Sequence, residues 1–176
     1  MAIERISLVS IGYFDQEILE KISADILEEF SIPVWLGRGN IDLGEFYDPA
    51  RRQYNGSALL MKVDTEFADE SSKTVGLFSV DLFIPILTYI FGQAYLNGKT
   101  GIVSVYRLNN ELYGLKPDNA LLHQRFRKEI MHELVHLFGL IHCRDAGCVM
   151  RSSTYVEDID QKSHRLCHDC RGRLKY

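Results

Sequence analysis

Isoleucines stand four apart at Ile18, Ile22 and Ile26, Phe30 continues the row, and charged residues fill the gaps. That spacing predicts an amphipathic helix with one apolar stripe, and Asp15 stands where a helix cap is wanted. Ahead of it, Arg5 to Ile11 is rich in branched apolar residues and predicts a strand that Gly12 closes. Pro33 to Leu36 predicts a short second strand, and the polar, glycine-containing residues 37–54 predict mostly loop. Ser57 to Phe67 groups Leu59, Leu60, Met61 and Val63 and predicts a second helix. Thr74 to Ile84 predicts a long strand, and a further apolar stretch, Leu87 to Leu96, follows Pro85. Asn97-Gly98 is a hairpin signal, with Gly101 to Leu108 as the return strand. After the polar loop Asn109 to Asp118, Asp118 or Asn119 caps a helix through Leu121, Leu122, Phe126, Ile130 and Leu134 to Phe138. A last helix is expected to start near Asp158 or Asp160 and to carry Leu166, Cys167 and Cys170. Strands alternating with helices predict an α/β fold around a mostly parallel sheet.

Composition narrows the class. A chain of 176 residues, 46% apolar and 25% charged, reads as one folded domain over residues 1–176, without repeat or linker. The formal charge of -4 gives no attraction to nucleic acid or to an anionic membrane. No stretch reaches the roughly 18 to 20 apolar residues that a membrane span needs. The first ten residues alternate and carry Glu4, which is not the pattern of a secretory signal. A cytoplasmic monomer is therefore expected. There thiols stay reduced, so cysteines are expected to bind metal rather than to pair as disulfides.

The chemistry concentrates in His132-Glu133-Leu134-Val135-His136-Leu137-Phe138-Gly139-Leu140-Ile141-His142. His132 and His136 lie one helical turn apart and can share a zinc ion on one face. Gly139 allows a sharp turn that returns His142 to the same metal. Three neutral imidazoles leave zinc an open fourth position, as catalysis needs. Glu133 is placed to act as general base without being a ligand. Glu157 is a rival for the third ligand position, and Tyr155 could reach the cleft and help at the oxyanion. His123 reads as a surface residue. All four cysteines fall close behind the motif: Cys143, Cys148, and Cys167 with Cys170 in a C-x-x-C.

His132 to Cys143, the following Cys148-Val149-Met150 and the closing Cys167-x-x-Cys170 resemble the archaemetzincins, a branch of the metzincin metallopeptidases. The resemblance implies a zincin-like fold: a twisted, mixed, mostly parallel sheet with an active-site helix in residues 1–139, and a small C-terminal part, 140–176. It implies two zinc ions, one catalytic and one structural. The structural zinc would be held by Cys143, Cys148, Cys167 and Cys170, and would tie the C-terminal helix to the loop after His142. His164 or His168 could replace one cysteine in that set. Met150 would sit on a tight turn as an apolar floor beneath the histidines. An edge strand above the cleft, placed at Phe91 to Leu96, would pair with an extended peptide. The implied function is a zinc peptidase acting on a peptide or protein, in the manner of an aminopeptidase. A zinc-stabilised peptide-binding module with little turnover, and a zinc hydrolase of non-peptide amides or esters, are the alternatives.

Overall fold

The computed structural model describes residues 2–174. In chain order its elements are β1 (Arg5–Ile11), α1 (Gln16–Phe30), β2 (Val34–Gly39), β3 (Tyr47–Asp48), β4 (Gln53–Asn55), α2 (Gly56–Phe67), β5 (Ser72–Phe78), β6 (Leu82–Ile84), β7 (Leu87–Ile90), β8 (Gly92–Ala94), β9 (Thr100–Ser104), α3 (Asn119–Leu137), α4 (Val156–Gln161) and α5 (His168–Arg173). The main sheet runs β2-β1-β5-β9-β8. Its first four strands are parallel, and β8 pairs with β9 antiparallel at the edge. A smaller sheet runs β3-β4-β6-β7.

The central strands are buried on both faces, and their side chains alternate between two cores. Ile6 and Leu8 of β1 join α1 and α3, whereas Val9 and Ile11 join Leu59, Leu60 and Val63 of α2. On α1 the buried stripe is Leu19, Ile22, Ile26 and Phe30, with Ile18 half-buried at its margin. Asp15 caps this helix by accepting from the amides of Glu17 and Ile18 at 2.9 and 3.3 Å. Asp118 caps α3 in the same way, accepting from the Leu121 amide at 2.9 Å. The C-terminal half of α3 is enclosed nearly all round, so it buries Glu129, His132 and Glu133 beside Ile130, Met131 and Leu134. Among the described residues no helix is long and apolar enough to cross a membrane.

Four sequence expectations change. The predicted strand Thr74 to Ile84 breaks between β5 and β6, which belong to different sheets. Asp81 lies at the break, held by Arg107 at 2.6 and 2.8 Å and by the Gln53 side chain at 3.1 Å. These partners turn the chain out of the main sheet. The apolar stretch Leu87 to Leu96 likewise splits, β7 to the small sheet and β8 to the large one. The expected loop 37–54 contains the end of β2, a 3-10 turn at Leu43–Phe46, and the short strands β3 and β4. The expected final helix is two, α4 and α5. Between them the Ser163 amide donates to Gly147 O at 2.9 Å, and Arg165 O accepts from the Val149 amide at 3.0 Å. The backbone groups that would continue a helix are bound instead to the loop before Met150, and Leu166 lies outside both helices.

Candidate metal centre and cleft

Helical spacing puts His132 and His136 on one face of α3, with ring centroids 4.7 Å apart. The helix ends at Leu137, and Gly139 turns with a φ of 88°, a conformation open to glycine at little cost. The amides of Gly139 and Asn97 both donate to His136 O at 2.9 Å. The chain then brings the His142 ring within 5.2 and 5.0 Å of the other two centroids. One nitrogen from each ring lies within 4.8 Å of the others. Glu157 is not part of this group.

Two carbonyls fix the tautomers. Nδ1 of His132 contacts Val149 O at 2.8 Å, and Nδ1 of His136 contacts Leu140 O at 2.7 Å. A carbonyl only accepts, so both Nδ1 atoms carry the proton and both Nε2 atoms keep lone pairs. Those Nε2 atoms face each other at 3.1 Å. Two lone pairs at that distance repel, and a cation bound by both removes the repulsion. The residues therefore fit a metal ion. Burial also holds the His132 ring well below the ordinary histidine pKa, with nearby Lys162 adding to the effect. His136 and His142 are lowered by burial too, so all three stay neutral and ready to ligate near pH 7.

Glu133 is buried beside the first histidine. Burial pushes its carboxyl well above the usual carboxylate range, Glu129 pushes further, and Lys162 opposes. A bound cation would pull it back down. The edge strand makes room for it: a Cβ on Gly92 would sit 2.8 Å from Glu133 Cγ and Oε1, and 2.7 Å from Ile102 O. Gly92→Ala should therefore displace Glu133 or the edge strand. Turnover is expected to fall at least roughly tenfold, with about 1–3 kcal/mol of stability lost to overpacking and the metal retained. Steady-state kinetics beside zinc content checks this, and unchanged kcat/KM would refute it.

Cys148 and Arg151 close a turn, the Arg151 amide donating to Cys148 O at 3.0 Å. Val149 and Met150 inside it are fully buried. The turn steadies two histidines through the backbone: Val149 O holds His132, and Met150 O accepts from the amide of Cys143, next to His142, at 2.9 Å. The four cysteine sulfurs lie within 4.8 Å of one another and none is in a disulfide. Cys143 and Cys167 Sγ are 3.9 Å apart. Thiolates around zinc at about 2.3 Å stand about 3.8 Å apart on a tetrahedron edge. The amides of Asp145 and Cys167 point at Cys143 and Cys148 Sγ, both at 3.4 Å, as suits thiolates. Backbone donation by Cys170 leads in holding the Cys167 thiol below its usual pKa. His164 and His168 are outside the cysteine group.

Several site residues carried no sequence signal strong enough to single them out. Lys162 is buried with Nζ 3.2 Å from Glu129 Oε1, donating to Arg151 O at 3.1 Å, and 3.5 Å from His132 Nδ1. Glu129 is one turn before Glu133, so their shared face could have been read; Lys162 arrives only through the tertiary fold. Gly92 had a faint signal, because glycine inside an apolar strand often marks a close approach. Tyr155 is exposed and lines the cleft with Leu87 to Gly92.

Neutral imidazoles gathered as for a cation, with a buried carboxyl lining the same cleft, are the donor set of a zinc hydrolase. The model of peptidase family M54 matches residues 32–176. The archaemetzincin of Methanocaldococcus jannaschii is 34% identical over 98% of this chain and 94% of its own length. The crystal structure of archaemetzincin from Methanopyrus kandleri superposes with a TM-score of 0.85 at 33% identity, covering 97% of this chain and 92% of that one. A zinc-dependent peptidase from Methanocorpusculum labreanum superposes with a TM-score of 0.83 at 30% identity, covering 97% and 100%. The chain belongs to the archaemetzincin family, peptidase family M54, and is a zinc metallopeptidase.

Proposed function

We propose that His132, His136 and His142 hold a catalytic zinc through ring nitrogens and that Glu133 is the general base for hydrolysis of internal peptide bonds. The observation that carries this is the buried Glu133 carboxyl, which lines both hollows of the cleft together with His132 and His142. Bound zinc supplies Lewis acidity, which acidifies a water and polarises the scissile carbonyl. Glu133 takes the proton of the attacking water on a carboxylate oxygen and passes it to the leaving amine. A purely structural site would gain nothing from burying that carboxylate, which counts against the binding-module alternative. Val149 O and Leu140 O keep the His132 and His136 rings aimed throughout. Met150 serves as the apolar floor, and Cys143, Cys148, Cys167 and Cys170 hold a second, structural zinc.

The β8 edge supports a peptide rather than a small amide or ester, since its outer backbone groups can take an added strand. Two hollows, of about 490 and 320 Å³, meet at Gly92, His132, Glu133 and His142. A substrate therefore has room on both sides of the metal position, which favours internal bonds over removal of a first residue. The test is a peptide library made twice, with free and with acetylated N-termini. Cleavage of both sets is expected. Cleavage of the free set alone would restore the aminopeptidase reading, and cleavage of neither would remove peptides as the substrate.

A further inference from the structure

We propose that a third hollow, at the carboxyl ends of β1 and β2, binds a phosphate group carried by a small molecule with an apolar or aromatic part. This hollow has a volume of about 290 Å³ and lies at the opposite end of the main sheet from β8. Ser10 of β1, Arg38 of β2 and the first turn of α1, with Gln16 and Leu19, border it. The carboxyl ends of parallel strands are where open α/β sheets take their ligands. Nothing in the proposal depends on the metal or on the peptidase reading of the cleft.

The strand pattern breaks at this place. Ile6 and Leu8 of β1 point into the core shared with Leu19, and Ser10 continues the same face. A third apolar side chain would extend that core; a hydroxyl stands there instead. Ser10 is 4% exposed, and its Oγ makes no hydrogen bond among the described residues, yet the oxygen is not sealed off. Its open surface faces the hollow that it lines. Arg38 is its partner across the parallel strand pair and lies on the same face. The Arg38 side chain is exposed and has no ion pair or hydrogen bond among the described residues. Asp15 spends its carboxylate on the amides of Glu17 and Ile18, and no carboxylate lines the hollow. The backbone amide of Gln16, first in the fifteen-residue helix α1, is left without a partner.

The donors decide the ligand. A guanidinium, a hydroxyl and a helix-end amide border one hollow, and each comes from a different element. A cation would meet Arg38, and an apolar molecule would cover Ser10 Oγ and leave it no partner. An anion suits all three donors. The two oxygens of a carboxylate are filled by the guanidinium fork alone. A phosphate has further oxygens for the hydroxyl and the amide. The rest of the hollow is apolar, walled by Phe14, Leu19 and Leu36, and Tyr13 stands 86% exposed at its rim. Those walls suit an apolar or aromatic group attached to the phosphate.

The test uses zinc-loaded full-length protein, freed of excess metal, and three probes: phenyl phosphate, inorganic phosphate and benzoate. Backbone amide signals of Ser10 to Gln16 and of His132 to His142 are followed by NMR during each titration. Phenyl phosphate is expected to shift the first set saturably, binding at least roughly tenfold more tightly than benzoate and several-fold more tightly than inorganic phosphate. Arg38→Ala should weaken it at least roughly tenfold, and Ser10→Ala several-fold, with zinc content and unfolding temperature unchanged. Arg38→Lys should recover only part of the loss, because an ammonium lacks the planar fork. No saturable shift near Ser10 would overturn the proposal, as would a shift that Arg38→Ala leaves intact. Shifts confined to His132 to His142 would put the probe on the metal and overturn it too. Equal binding of benzoate would overturn the choice of phosphate. If inorganic phosphate binds as tightly as phenyl phosphate, the ligand is the free ion and the apolar part of the proposal falls.

Discussion

Glu133→Gln is expected to keep both zinc ions and the fold while lowering turnover by about 10²- to 10⁴-fold, the usual cost of losing a general base. The shape argument is simple: glutamine matches glutamate in size, so it fits under Gly92, where an added Cβ on the strand would already collide with Glu133. The metal argument is that the three imidazoles form the ligand group without it. The charge argument gives a sign. Burial raises the Glu133 pKa well above its ordinary value of 4.5 in the metal-free protein. A raised folded-state pKa means that its contribution to stability is present below 4.5 and is lost as pH rises through the folded value. Removing the ionisable group removes that loss, so at neutral pH metal-free Glu133→Gln should unfold at the same temperature as the metal-free wild type or a higher one. The same group sets the acidic limb of kcat/KM in the wild type. It must be ionised to accept a proton, so activity falls on the acid side as Glu133 takes up a proton. Zinc content measured at each pH separates this limb from loss of metal by protonated histidines. A mutant that cleaves as well as wild type would end the mechanism.

Much of this site is local in sequence, which is why it could be read there. His132 and His136 need only the helical repeat, and His142 needs only the turn at Gly139. The four cysteines follow within a short span, and the α1 stripe and both aspartate caps are equally local. The fold resisted reading where distant partners decide. The break between β5 and β6 depends on Arg107, which lies 26 residues beyond Asp81. The strands β3, β4, β6 and β8 are two or three residues long, too short to show alternation. Residues 163–166 have one local reason to leave a helix, the Ser163 hydroxyl that accepts from the Arg165 amide at 2.8 Å, and the rest comes from the loop at Gly147 and Val149, to which they bind. The wall of the larger hollow shows the same limit. Lys162 meets Glu129 from another element, and no periodicity foretells a buried ion pair of that kind.

Cys148→Ser is expected to abolish binding at the cysteine site and to loosen the whole segment after His142. Serine is a shorter, harder and far less acidic ligand, so the site loses one of four thiolates. Binding energy at such a site is folding energy, about 10–16 kcal/mol for structural zinc in small peptides. A loss of even a third of that is comparable with the about 5–15 kcal/mol that stabilises a whole domain. α4 and α5 have six residues each, too short to be stable alone, and without the zinc they would depend on Val156, Ile159 and Leu166 in the core and on bonds to α3, from Arg125 to Asp160 and from Lys128 to Ile159 O. The damage should spread to the histidine site through two named bonds. Val149 O orients His132, and Met150 O holds the residue next to His142. Both carbonyls belong to the turn that begins at Cys148, so zinc affinity at the histidines should fall about 10- to 100-fold, as it does when ligand-orienting partners are lost. The reverse does not hold. A mild chelator should strip the open histidine site first and leave the closed cysteine site until the protein unfolds. Zinc release, thiol reactivity and thermal unfolding, followed together in wild type and mutant, check both halves. If the mutant keeps its unfolding temperature and its affinity for the first zinc, the cysteine cluster neither stabilises the C-terminal part nor steadies the catalytic ligands.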